Sequence, residues 1–257
     1  MKTRWKLFII LLILSLIGII TVIPYSLTLQ GGIPAELPVP LHILLIAQII
    51  QNTVLFAVLI GLGLFIAKKI GFGLPILEGW LEGNEVRSYL KSILGISIGL
   101  GVAAAILIIV FDNIFSLMGV TLIGATATQI NPPAWQGFLA SFYGGINEEI
   151  MMRLFLMSLF VWIFYKIKKT AQGKPTSIGV WLAIIITAVL FGIGHLPITS
   201  AITAITPGII LRAIVLNGIG GIIFGWLYWK KGLESAMISH FSADIVLHVI
   251  LPIIILI

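Results

Sequence analysis

Residues 142–157, FYGGINEEIMMRLFLM, set two glutamates and an arginine inside a run that otherwise reads as the middle of a membrane helix. Whether that run crosses a bilayer decides the fold, and composition answers first. Of the 257 residues, 60% are hydrophobic and 9% charged, with mean hydropathy +1.19. A soluble domain carries about 25% charged residues, so the chain belongs to the membrane class. It contains no cysteine, which excludes disulfides and thiolate metal sites.

A helix needs about 20 apolar residues to span a bilayer. The candidate spans are residues 7–28, 41–67, 92–112, 136–165, 177–196, 208–229 and 233–257. The expected fold is therefore all-α and polytopic, with about seven transmembrane helices; six or eight also fit. Pro252 could kink the last helix or divide it, and residues 113–132 read as a loop or a re-entrant piece. The opening MKTRWKLFIILLILSLIGIITVIPYS has the basic start of a signal peptide. Its apolar run is too long for one and no A-x-A site follows, so a retained first helix is expected.

The basic residues test this layout. Lys2, Arg4 and Lys6 precede the first span, and Lys68, Lys69, Arg87 and Lys91 separate the second from the third. Lys166, Lys168, Lys169 and Lys174 separate the fourth from the fifth, and Lys230 and Lys231 the sixth from the seventh. Thirteen of the fifteen Lys and Arg residues thus fall on one face. The positive-inside rule makes that face cytoplasmic, with a cytoplasmic N-terminus in a multi-pass cell-membrane protein. The net charge of +6 is then topology, with no nucleic-acid partner implied. Residues 73–91 mix apolar and charged side chains and read as an interfacial anchor. Gly95/Gly99 and Gly221/Gly225 have the four-residue spacing that lets helices approach closely.

Ionisable groups at membrane depth are costly and face protein or water. Those within the apolar sequence are Glu148, Glu149, Arg153, His195, Arg212, His240, Asp244 and His248. Glu149 and Arg153 are four apart and meet on one helical face, a self-neutralising support pair. Glu148 is rotated by about 100° from Glu149 on an α-helix, which leaves it as the carboxylate available for chemistry. His240 and Asp244 are also four apart. His248 would lie about 12 Å along the helix from His240 and is left out of the site. Three helices each bring acid or imidazole groups into a chain with few of either, and one shared intramembrane cavity accounts for all of them.

EEIMMR (148–153), FGIGH (191–195) and HFSAD (240–244) resemble the EExxxR, FxxxH and HxxxN/D motifs of the CAAX protease and bacteriocin-processing (CPBP, or Abi) intramembrane endopeptidases. The intervening GGIIFGWLYWKKGLESAMISH resembles the helix and basic turn that lead to that family's third motif. The likeness covers about residues 136–248, and the first three spans are generic membrane sequence.

The resemblance implies hydrolysis of a peptide bond within or beside the membrane. Glu148 and His195 would activate water, His240 with Asp244 would steady the oxyanion, and Glu149 would hold Arg153. Many relatives carry Asn in place of Asp244. An ionised Asp only accepts hydrogen bonds, so its expected role is to orient His240. The implied substrate is a peptide or protein, including the family's prenylated C-termini, met in the presence of membrane lipid.

A zinc-dependent version would use Glu148, His195 and His240 as ligands around a water, with Asp244 as a possible fourth. The cofactor expectation is therefore none or one divalent metal. HExxH, the usual helical zinc signature, does not occur. A secondary transporter would also bury such groups, yet here they all lie in the C-terminal half and no repeat appears. A membrane protein giving immunity by binding a peptide toxin would keep the fold without the chemistry. The chain divides into N-terminal helices, 1–132, and a catalytic core, 133–257.

Overall fold

The structure is a computed structural model that describes residues 2–33, 37–122 and 132–255. Among them, seven helices are long and apolar enough to cross a membrane: Thr3–Leu29, Leu41–Ile70, Arg87–Leu117, Ala134–Ile167, Ser177–Ser200, Pro207–Lys231 and Leu233–Ile254, spans 1 to 7 below. Seven is the number expected, and each span includes most of its expected segment. Of the loop or re-entrant reading of 113–132, residues 123–131 lie outside the described residues. Span 3 is longer at both ends than expected and takes in 113–117 as helix, with 118–122 following as turn and loop.

Local chemistry sets the helix ends. Thr176 and Thr206 cap spans 5 and 6, each hydroxyl accepting from the backbone N–H three residues on, at 3.1 and 3.2 Å. Pro207 opens span 6, where its missing N–H costs nothing. Span 2 ends in Lys68 and Lys69 followed by Gly71 at φ 75°, a left-handed position that suits glycine.

The anchor expected over 73–91 is shorter than that. Only Pro75–Leu81 forms a separate helix, and span 3 begins at Arg87 instead of 92. The short helix sits on span 7, because the Glu234 carboxylate accepts from the N–H groups of Ile76 and Leu77, both at 3.0 Å. A carboxylate at a helix N-terminus satisfies donors that have no partner within the helix.

Pro252 does not divide the last span. Instead the helix widens to π geometry over Ile245–Ile250, just before the residue that cannot donate a backbone hydrogen bond.

Span 6 packs on spans 3, 5 and 7, and span 4 on spans 1, 2, 5 and 7. The Gly221/Gly225 pair works as expected: a methyl at Gly221 would strike Ala188, and one at Gly225 would press on Ile184. Gly95 and Gly99 do not, since both face outward with nothing beside them. Span 3 packs instead through the buried Gly101, against the Ser239 carbonyl, and through Ser97, whose hydroxyl pairs with that of Ser235 at 2.7 Å.

Candidate active site

Span 4 is π-helical over Tyr143–Glu148 and Ile150–Met157, where a plain α-helix was expected. Such widened turns cluster at functional sites because they re-aim side chains. Gly144 and Gly145 allow span 7 to come close: a methyl at Gly144 would collide with the Asp244 carboxylate, and one at Gly145 would press on Phe241 and the Met237 carbonyl. Asn147, fully buried, ties span 4 to span 1 by donating to the Ser15 hydroxyl at 2.8 Å and the Ser15 carbonyl at 3.1 Å.

His240 lies at the centre of the cluster. Its Nδ1 is 2.7 Å from Glu149 Oε1. A carboxylate accepts, so Nδ1 carries the proton and donates. Nε2 then faces two further carboxylates, Glu148 Oε2 at 3.6 Å and Asp244 Oδ1 at 3.7 Å. Phe224 stacks on the imidazole, with centroids 4.6 Å apart and planes at 21°.

The geometry bears on the role expected for Asp244, that of orienting His240. The carboxylate hydrogen-bonded to His240 is that of Glu149, while Asp244 stands on the other nitrogen's side, beyond hydrogen-bond distance. Four-residue spacing gave only proximity, and a carboxylate from another helix reached Nδ1 first.

Glu149 also faces Arg153, as expected, with Nη1 3.3 Å from Oε1; both side chains are essentially sealed from solvent. The guanidinium donates from Nη2 to the Gly221 carbonyl at 3.3 Å and lies over the rings of Phe191 and Phe224, 5.2 and 5.4 Å from their centroids. Cation–π contact of this kind is attractive and strengthens when dry.

His195 sits at the joint between the two α-helical segments of span 5, Ser177–Gly194 and Leu196–Ser200. Its Nδ1 is 2.8 Å from the Phe191 carbonyl, which can only accept. Nδ1 therefore carries the hydrogen, leaving the Nε2 lone pair free in the neutral ring. Phe191 meets both imidazoles edge-on, 4.7 Å from His195 and 5.8 Å from His240, centroid to centroid.

Glu148, His195, His240 and Asp244 line one cavity of about 630 Å³. The structure adds residues that sequence reasoning left out. His248 lines the cavity as well, with Nε2 4.0 Å from Asp244 Oδ1 and Nδ1 3.1 Å from the Tyr25 hydroxyl. Its distance along the helix argued against sharing one metal ion with His240, but did not remove it from the cavity wall. Arg212 pairs with Asp112 across two spans, Nε at 2.7 Å and Nη2 at 2.5 Å from one oxygen. Spacing within one helix does not reveal this partner of Arg212, because Asp112 lies 100 residues away on another span.

Among the described residues, no group of three or more His, Asp or Glu side chains is disposed to hold a metal ion.

The fold and site define a class: a multi-pass helical membrane protein whose spans enclose a buried cluster of carboxylates and imidazoles. Residues 130–246 match the family model for the type II CAAX prenyl endopeptidase Rce1-like proteins. That stretch is a domain of this protease family, and it contains all three motif segments described above. No curated protein and no solved structure matches the chain.

Proposed function

We propose that the protein is an intramembrane endopeptidase in which Glu148 is the general base toward water. The observation that carries this reading is the 3.6 Å separation of Glu148 Oε2 from His240 Nε2 in a shared cavity. Two atoms that far apart do not hydrogen-bond to each other, yet both lie within hydrogen-bond reach of one common point. A water placed there touches both.

Glu148 takes the proton as that water attacks the carbonyl, and His195 Nε2, an acceptor in the neutral ring, orients the water from span 5. His240, held through Nδ1 by Glu149, donates from Nε2 to the tetrahedral oxyanion in its imidazolium form. The proton held by Glu148 then passes to the leaving amine. Spans 1 to 3 (within 1–132) contribute cavity wall to the catalytic core (133–257). The basic loops face the cytoplasm, and the substrate is a peptide or protein segment at the membrane.

The test is cleavage of a quenched-fluorescent peptide library by the purified protein. Loss of cleavage in Glu148→Gln and His240→Gln, with both variants still folded, supports the reading. Undiminished cleavage by Glu148→Gln overturns it.

A further inference from the structure

The cavity and the basic loops lie at opposite ends of the bundle. Spans 1, 3, 5 and 7 begin at the basic end, and spans 2, 4 and 6 finish there. The outer wall is made by Tyr25, Asn52, Asp112, Thr199, Arg212 and His248, from spans 1, 2, 3, 5, 6 and 7. Every one of them sits in the half of its span away from the basic loops. Leu122 and Ile202, beyond the far ends of the helices of spans 3 and 5, also reach the lining.

The deepest wall residues, Phe224 and His240, come from a turn or so past the midpoints of spans 6 and 7. Below them the protein is shut. Glu149, Arg153, Met157, Ser158 and Tyr228 are at most 1% exposed, and the Ser158 and Tyr228 hydroxyls close on each other at 2.8 Å. A second cavity at the basic end, beside Arg4, Lys68, Lys230 and Lys231, shares no residue with the first.

We infer that water and substrate reach the site from the face opposite the basic loops. By the positive-inside rule that is the noncytoplasmic face. The substrate class follows: a polypeptide segment presented on that side, such as an external loop or juxtamembrane stretch of a membrane protein. A cytoplasmic C-terminal tail would have to pass the sealed layer around Arg153 and Tyr228 to reach Glu148. Polar groups at the outer wall, the Arg212–Asp112 pair with Asn52 and Asn217, offer an entering backbone donors and acceptors. The inference rests on the cytoplasmic placement of the basic loops and on the protease reading of the site.

Because the chain has no cysteine, single-cysteine labelling tests access directly. Three variants are compared with a membrane-impermeant thiol reagent in intact cells and in inverted vesicles. They are Gln172→Cys in the basic loop, Ala204→Cys at the far end, and Asn217→Cys in the cavity wall. Asn217→Cys and Ala204→Cys should label from outside the cell and Gln172→Cys only in inverted vesicles. Labelling of Asn217→Cys only from the side that labels Gln172→Cys overturns the access route. Labelling of Gln172→Cys from outside overturns the orientation.

The peptide library is then supplied to each face in turn, with Glu148→Gln as control. Cleavage should occur only on the noncytoplasmic side, and cleavage only on the cytoplasmic side overturns the substrate class. Absence of Glu148-dependent cleavage on both sides rejects the protease reading, while the labelling result still decides the route.

Discussion

Glu149 and His240, 91 residues apart in sequence, are joined by a 2.7 Å hydrogen bond at the buried centre of the bundle. The same Oε1 lies 3.3 Å from Arg153. Removing one member of a buried charge pair leaves the other uncompensated, which costs about 3–5 kcal/mol. Glu149→Gln is therefore expected to lower both the thermal midpoint in detergent and peptide cleavage. Glu148→Gln should leave the midpoint close to wild type while cutting cleavage at least about a hundredfold, the scale of a lost general base. Paired melting and activity measurements separate the two neighbours.

Asp244→Asn tests which acid orients the imidazole. With Glu149 on Nδ1 and Asp244 3.7 Å from Nε2, the substitution removes a charge but no orienting bond. Cleavage by Asp244→Asn should fall less than tenfold, about 1.4 kcal/mol of barrier, and far less than in Glu149→Gln. The reverse order would return the orienting role to Asp244.

A methyl at position 144 would occupy the space of the Asp244 carboxylate and press toward His240 Nε2. Overpacking of this kind costs about 1–3 kcal/mol. Gly144→Ala should express and insert yet cleave poorly, and restoring room with Asp244→Ala in the double variant should recover part of its thermal stability.

Asn147→Ala removes both bonds to Ser15 and so loosens span 1 from span 4. Losing the partner of a buried hydrogen bond costs about 1–3 kcal/mol, which a melting curve detects. The catalytic side chains keep their contacts, so cleavage at low temperature should persist.

Chelation is a further discriminator. Among the described residues no group of three or more His, Asp or Glu side chains is close enough to hold one metal ion. Cleavage is expected to survive prolonged treatment with a strong chelator; loss on chelation with rescue by zinc would install the metal version.

The architecture was legible from the sequence because spans and basic loops follow one-dimensional rules of length and charge. The same applies to Glu149 with Arg153, a pair within one helix. Contacts between helices were another matter. That Glu149 would reach His240, or Asp112 reach Arg212, depends on how distant spans dock, and spacing within one segment carries no such information. The glycine pairs show the limit well. Gly95/Gly99 and Gly221/Gly225 have the same spacing, but only the second faces a neighbour. Helical periodicity also hid the π turns of span 4, since apolar side chains surround it on several sides.

Glu234 accepts the N–H groups of Ile76 and Leu77 six residues before His240 on the same helix. The strip of chain lying at the basic surface is thereby bolted to the rod that carries the imidazole. One helix thus ties the position of Pro75–Leu81 to that of the buried His240.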